Sequence, residues 1–104
     1  MRKVYEDLLA EEIAGSIDIC WDGEPIKFSH QVELENELFV ETSGIVEYTY
    51  EYDESTDYIY MTWCSVTIED LSVNQFRDGD EITPNVHFNS RFVEKYTEQY
   101  LMKR

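Results

Sequence analysis

Asp53-Glu54-Ser55-Thr56-Asp57 sets oxygen-bearing side chains at alternate positions, as a calcium-binding loop does at its start. Such a loop needs glycine at its sixth position for the sharp turn and a bidentate acid at its twelfth. Tyr58 and Cys64 stand there instead, so the stretch reads as a solvated turn. His30 and His87 are far apart and lack the i, i+4 spacing of a zinc pair. Cys20 and Cys64 match neither a CxxC nor a zinc pattern, and neither sits in a nucleophile motif. In a reducing compartment each reads as a small hydrophobe, while their pairing in a disulfide is left open by spacing alone. A catalytic carboxyl needs burial or a charged neighbour to shift its pKa, and the acids of this chain alternate along an exposed face. No catalytic residue, cofactor or metal ligand is therefore assigned.

The acids themselves form the remaining pattern. In VELENELFVETSGIVEYTYEYD, Val32 to Asp53, the odd positions carry Glu33, Glu35, Glu37, Glu41, Glu47, Glu51 and Asp53, while the even ones are mostly apolar or aromatic. Period-two alternation is the mark of a strand with one buried and one wet face. Neighbours two apart on a strand lie roughly 6.5 to 7 Å apart. Each like-charge pair then costs only about 0.6 kcal/mol in water and less in salt. A sheet tolerates that cost, so the acids alone do not imply use. Two further features do point to a partner. There is no Lys or Arg between Lys27 and Arg77, although eleven acids fall in that interval. A face kept wet only for solubility would mix signs. The same face is also expected to carry Tyr58 and Tyr60, and aromatics among one-signed charge suit an interface with a basic surface. The candidate partner-binding residues are Glu37, Glu41, Glu47, Glu51, Asp53, Tyr58 and Tyr60.

The whole chain supports the same direction. Twenty-three acids against eight bases give 104 residues a net charge of −15, which repels nucleic acid and anionic membranes at long range. Direct nucleic-acid binding is not expected on that ground. No run approaches the roughly 18 apolar residues that would cross a bilayer, and acids interrupt the N-terminal segment where a secretory signal would be apolar. The expectation is a cytoplasmic protein with no membrane contact. Its length permits one domain, residues 1–104, with a single core.

Those residues must be positioned by strands and two helices. Val4, Tyr5, Leu8, Leu9 and Ile13 recur at helical spacing, and Gly15 is a natural stop. Ile17, Ile19 and Trp21 alternate up to Asp22-Gly23, a strong hairpin signal, and Ile26 and Phe28 alternate after it. That hairpin would set Asp18 against Lys27, Ile19 against Ile26 and Ile17 against Phe28. Val32 to Asp53 then reads as one long bent strand, or as two strands hinged at Ser43-Gly44. A four-residue turn, Glu54–Asp57, leads into Tyr58–Ile68, pairing Tyr52 with Ile59, Tyr50 with Met61, Tyr48 with Trp63, Glu51 with Tyr60 and Asp53 with Tyr58. Leu71–Phe76 is a further short strand, turning at Asp78-Gly79 into a weak segment around Glu81-Ile82 that Pro84 ends. Asn89 or Ser90 caps a last helix with Phe92, Val93, Tyr96 and Tyr100 on its apolar face.

The fold class is therefore α+β: a mostly antiparallel, twisted sheet of four to six strands, with the N-terminal and C-terminal helices packed on one face. Expected core residues are Val4, Leu8, Ile13, Ile17, Ile19, Ile26, Phe28, Leu38, Val40, Val46, Tyr48, Tyr50, Met61, Trp63, Phe92, Val93 and Tyr96. The functional expectation is a non-catalytic protein-protein interaction module, an inhibitor or DNA-mimicking decoy offering carboxylates to a basic nucleic-acid-handling protein. Competing readings are a homo-oligomeric structural or scaffold subunit whose acids only solubilise it, and a small enzyme or ligand binder.

Overall fold

Leu9, Ala10, Ile13 and Ala14 fall on one stripe of a helix, and all four are buried along α1, Tyr5–Ser16. The computed structural model describes residues 4–103. In it α1 and the C-terminal helix α2, Ser90–Met102, pack together on one face of a four-stranded antiparallel sheet. The strands are β1, Ile26–Glu35; β2, Leu38–Asp53; β3, Tyr58–Arg77; and β4, Asp80–Ile82, laid side by side in chain order. The α+β expectation, with four strands and both terminal helices on one face, is what the chain adopts.

The core forms where the even positions of β2 meet the helices. Leu38, Val40, Thr42, Gly44, Val46 and Tyr48 are buried in succession, and Val40, Val46 and Tyr48 share one core cluster with Leu9 and Ile13 of α1 and Val93 and Leu101 of α2. Asn89 caps α2 by accepting a hydrogen bond from the Arg91 amide at 3.0 Å. The Tyr100 hydroxyl ties the helices together by donating to Asp7 of α1. On the sheet side, Glu98 accepts from the Val66 amide and Glu94 from the Ile68 amide, both at 2.8 Å. These two carboxylates cover the edge of β3 that no strand reaches, since β4 pairs only with Gln75, Phe76 and Arg77.

The long hairpin has the four-residue turn and the expected pairs Asp53 with Tyr58, Glu51 with Tyr60, Tyr52 with Ile59 and Tyr50 with Met61. Beyond Met61 the register shifts. Thr62 has no partner in β2, so Thr49 faces Trp63 and Tyr48 faces Cys64 rather than Trp63. This bulge leaves Trp63 51% exposed and puts Cys64 in the core. Glu69 is likewise extra, and with it β3 runs on to Arg77 as one strand rather than two. Both irregularities lie in β3, and β2 keeps an unbroken alternation.

Three other expectations are corrected. No strand forms over Ile17–Trp21, and the pairs Asp18–Lys27, Ile19–Ile26 and Ile17–Phe28 do not exist. A two-residue I′ turn would need positive φ at both Asp22 and Gly23, whereas the positive values fall at Trp21, 56°, and Gly23, 78°. Instead the Tyr48 hydroxyl accepts from the amides of Asp22 and Gly23, each at 3.1 Å, while Trp21 packs edge-on against Tyr48 and Tyr50. The segment is a cover for the end of the core, and β1 pairs with β2.

The break in the acidic run is also not at Ser43-Gly44. It is the turn Asn36-Glu37, where Glu37 takes φ of 64°, and β2 passes straight through Gly44. Finally, Val4, Tyr50, Trp63 and Phe92 are exposed by 53, 37, 51 and 55% respectively, so none is core. Buried Thr97 replaces Phe92 on the inner stripe of α2 with Val93 and Leu101, its hydroxyl donating to the Val93 carbonyl at 2.7 Å.

Candidate protein-binding surface

Because β2 alternates without interruption, its odd residues all reach the side of the sheet opposite the helices. Phe39, Glu41, Ser43, Ile45, Glu47, Thr49, Glu51 and Asp53 form that row, and the register adds Glu33 from β1 and Tyr58, Tyr60, Asp70 and Phe76 from β3. At an extended rise this row spans about 46 Å. Among the described residues the only base on it is Lys27, opposite Ile45.

Of the candidate residues, Glu41, Glu47, Glu51, Asp53, Tyr58 and Tyr60 lie on this one face. Glu41, Glu47, Glu51 and both tyrosines are exposed, and Asp53 is half-buried. Glu37 is set apart. Its carboxylate accepts from the amides of Asp78 at 3.1 Å and Gly79 at 3.2 Å, which closes the β3–β4 turn. Its own amide donates to Glu33 at 2.9 Å. Glu35 also leaves the row: a bulge at Leu34 shifts the register, Glu35 pairs with Leu38, and Tyr5 of α1 donates to it at 2.7 Å.

Aromatic pairs stand at both ends of the acidic row. Tyr58 and Tyr60 stack with centroids 6.1 Å apart and planes 15° apart, and the Tyr60 hydroxyl donates to Glu51 at 2.9 Å. At the other end Phe39 and Phe76 meet edge-on at 5.8 Å. Phe76 was not among the candidate residues, and nothing local in the sequence places it beside Phe39, because the Glu69 bulge decides which way it faces.

The carboxylate of Asp53 accepts from the Ser55 hydroxyl at 2.6 Å and the Ser55 amide at 3.0 Å, which hold it below the ordinary carboxylate range. The Glu51 carboxylate holds the Tyr60 phenol above its usual value, by hydrogen bond and by charge. Asp53 is therefore charged and the Tyr60 phenol neutral throughout the physiological range. No family model matches this chain, and no curated protein or solved structure matches it.

Elsewhere the chemistry is sparse. Among the described residues no group of three or more His, Cys, Asp or Glu side chains is arranged to hold a metal ion. Among the same residues no helix is long and apolar enough to cross a membrane. Cys20 is exposed and Cys64 buried, both as free thiols, so the disulfide left open by the sequence is not formed. Burial, with the Glu98 carboxylate adding to it, pushes the Cys64 thiol up from 9.0 to about 11.

An alkylating reagent at pH 8 is expected to modify Cys20 quickly and Cys64 only on unfolding. Mass spectrometry of the labelled chain checks this. The unfolded chain releases the Cys64 proton near the ordinary value and the folded chain only near about 11. The stability carried by the buried thiol is thus complete below pH 9 and is lost as the pH rises through that interval.

Proposed function

We propose that this chain is a non-catalytic binding module that presents its outer sheet face to a basic protein surface. One observation carries the reading: both helices pack on the same side of the sheet, which leaves the other side bare, acidic and bounded by aromatic pairs. Mixed-sign charge would serve solubility at less electrostatic cost. An interface with a basic partner would use the carboxylates for steering and register and the aromatics for apolar contact.

A nucleic-acid-handling protein occupied by a carboxylate-bearing decoy is the sharpest form of this proposal. The net charge of −15 disfavours nucleic acid itself as the ligand. The proposed setting is the cytoplasm, where exposed Cys20 would remain a thiol.

The test is capture of binding proteins by immobilised wild type and by Glu41→Gln/Glu47→Gln/Glu51→Gln, each at about 50 and 200 mM salt. These glutamates are exposed and none is buried in the core, so the variant should fold. The expected result is a basic protein retained by wild type at low salt, with retention falling about tenfold or more at high salt and in the variant. Equal retention by the variant would refute the docking role of this face.

A further inference from the structure

A groove of about 480 Å³ runs between the C-terminal half of α2 and the bulge of β3, with Trp63, Met102, Lys95 and Lys103 in its lining. Trp63 and Met102 are 51 and 42% exposed, apolar surface that nothing in the fold covers. Lys95 and Lys103, two of only eight bases in the chain, line it with a single acid, Glu98, whose carboxylate is taken up by the Val66 amide, and Lys103 stands 6.0 Å from the centroid of the Tyr100 ring. Next to the groove the edge of β3 is open. β4 pairs only with Gln75–Arg77, and the Glu98 and Glu94 carboxylates take the amides of Val66 and Ile68, so Tyr58–Met61 has β2 on one side alone. The turn that ends this ribbon, Glu54–Asp57, is exposed and carries no base.

From these juxtaposed features we infer that two copies of this chain pair antiparallel along the open β3 edge, each seating its acidic turn in the basic groove of the other. This goes beyond the docking of the outer face, because it names a second copy as the partner of a different surface. A two-fold axis at Tyr60 sets Tyr60 against its own copy and each residue 60 + k against residue 60 − k of the second copy. Trp63 then meets Asp57 of the second copy, at the end of its acidic turn. The groove cations thereby face the acidic turn. A contact of this kind is isologous and closes at two copies. Opposed residues in an antiparallel pair point to the same side, so the two acidic faces join into one surface. An open strand edge is a ready template for such pairing, and here the bulge at Thr62 limits its length.

Sedimentation velocity of the full chain tests the inference. Wild type at ~100 µM is expected to be a dimer that dissociates as salt rises. Lys95→Glu/Lys103→Glu should weaken the dimer by about tenfold or more, as should Glu54→Lys/Thr56→Lys. Combining all four substitutions should restore it, because the charges are then exchanged. Each altered side chain is exposed, and circular dichroism is the check that the variants fold. A monomeric wild type, a dimer indifferent to both pairs, or a combined variant that stays dissociated would overturn the inference. None of these outcomes bears on capture of a basic protein by the outer face, so the two ideas fail separately.

Discussion

Gly44→Ala is expected to cost about 3 kcal/mol or more of folding stability, read as a lower denaturation midpoint at unchanged slope. A Cβ at this position would lie 2.2 Å from the Thr67 carbonyl oxygen and 2.9 Å from Cζ of Phe28. The ring of Phe28 can shift, but the Thr67 oxygen belongs to the backbone of β3 and moves only with the strand. Overpacking in a well-ordered core usually costs about 1 to 3 kcal/mol, and a backbone clash belongs at the upper end or beyond. Against a typical total of about 5 to 15 kcal/mol this is a large fraction, so partial unfolding at physiological temperature is a further expected sign. The glycine is required by close approach, since β2 passes through it in extended conformation. A stability within ~0.5 kcal/mol of wild type would show that the two strands separate easily at this point.

The second large effect is expected at the helix-covered edge of β3. Removing both carboxylates in Glu94→Ala/Glu98→Ala leaves the amides of Val66 and Ile68 without acceptors under α2. An unsatisfied amide costs about 1 to 3 kcal/mol, so the pair should lose about 2 to 6 kcal/mol. Glu94→Gln/Glu98→Gln keeps an oxygen at each position and should recover more than half of that loss, as neutral acceptors hold N–H groups less strongly than charged ones. Chemical denaturation of the three proteins checks the order wild type, Gln pair, Ala pair. If the Ala pair matched wild type, water would be satisfying those amides and the seating of α2 would rest on apolar contact alone. Hydrogen exchange gives a second readout, with faster exchange expected at Val66 and Ile68 in the Ala pair.

How much of this molecule could be read from the chain depends on how locally each feature is determined. The hairpin Tyr50–Tyr60 was legible because its alternation is strict and its turn is composed of polar residues. A slip by one residue there would bury Glu47 and Glu51, which selects the register without outside help. The segment Ile17–Trp21 departs from its local pattern because Asp22-Gly23 is a strong turn signal only while no better partner competes. Tyr48, distant in sequence, supplies a hydroxyl that takes both amides of that turn and a ring against which Trp21 packs. The turn at Asn36-Glu37 was hidden for another reason: Glu37 adopts positive φ without being glycine, stabilised by contacts with Glu33, Asp78 and Gly79 that no local pattern reveals.

The acidic surface divides along the same line. Charge sign, the absence of bases between Lys27 and Arg77 and the shared parity of Glu41, Glu47, Glu51 and Asp53 follow from the order of residues alone, because side chains on a strand alternate by covalent geometry. Which acids leave that row did not follow. Glu35 turns toward α1 and Glu37 toward the β3–β4 turn because a bulge and a distant pair of amides hold them there. The position of Trp63 beside α2, and of Phe76 beside Phe39, depends on single extra residues in β3 that alternation cannot locate. A bulge is chosen by the packing of whole elements against each other, and that balance exists only once the chain has folded.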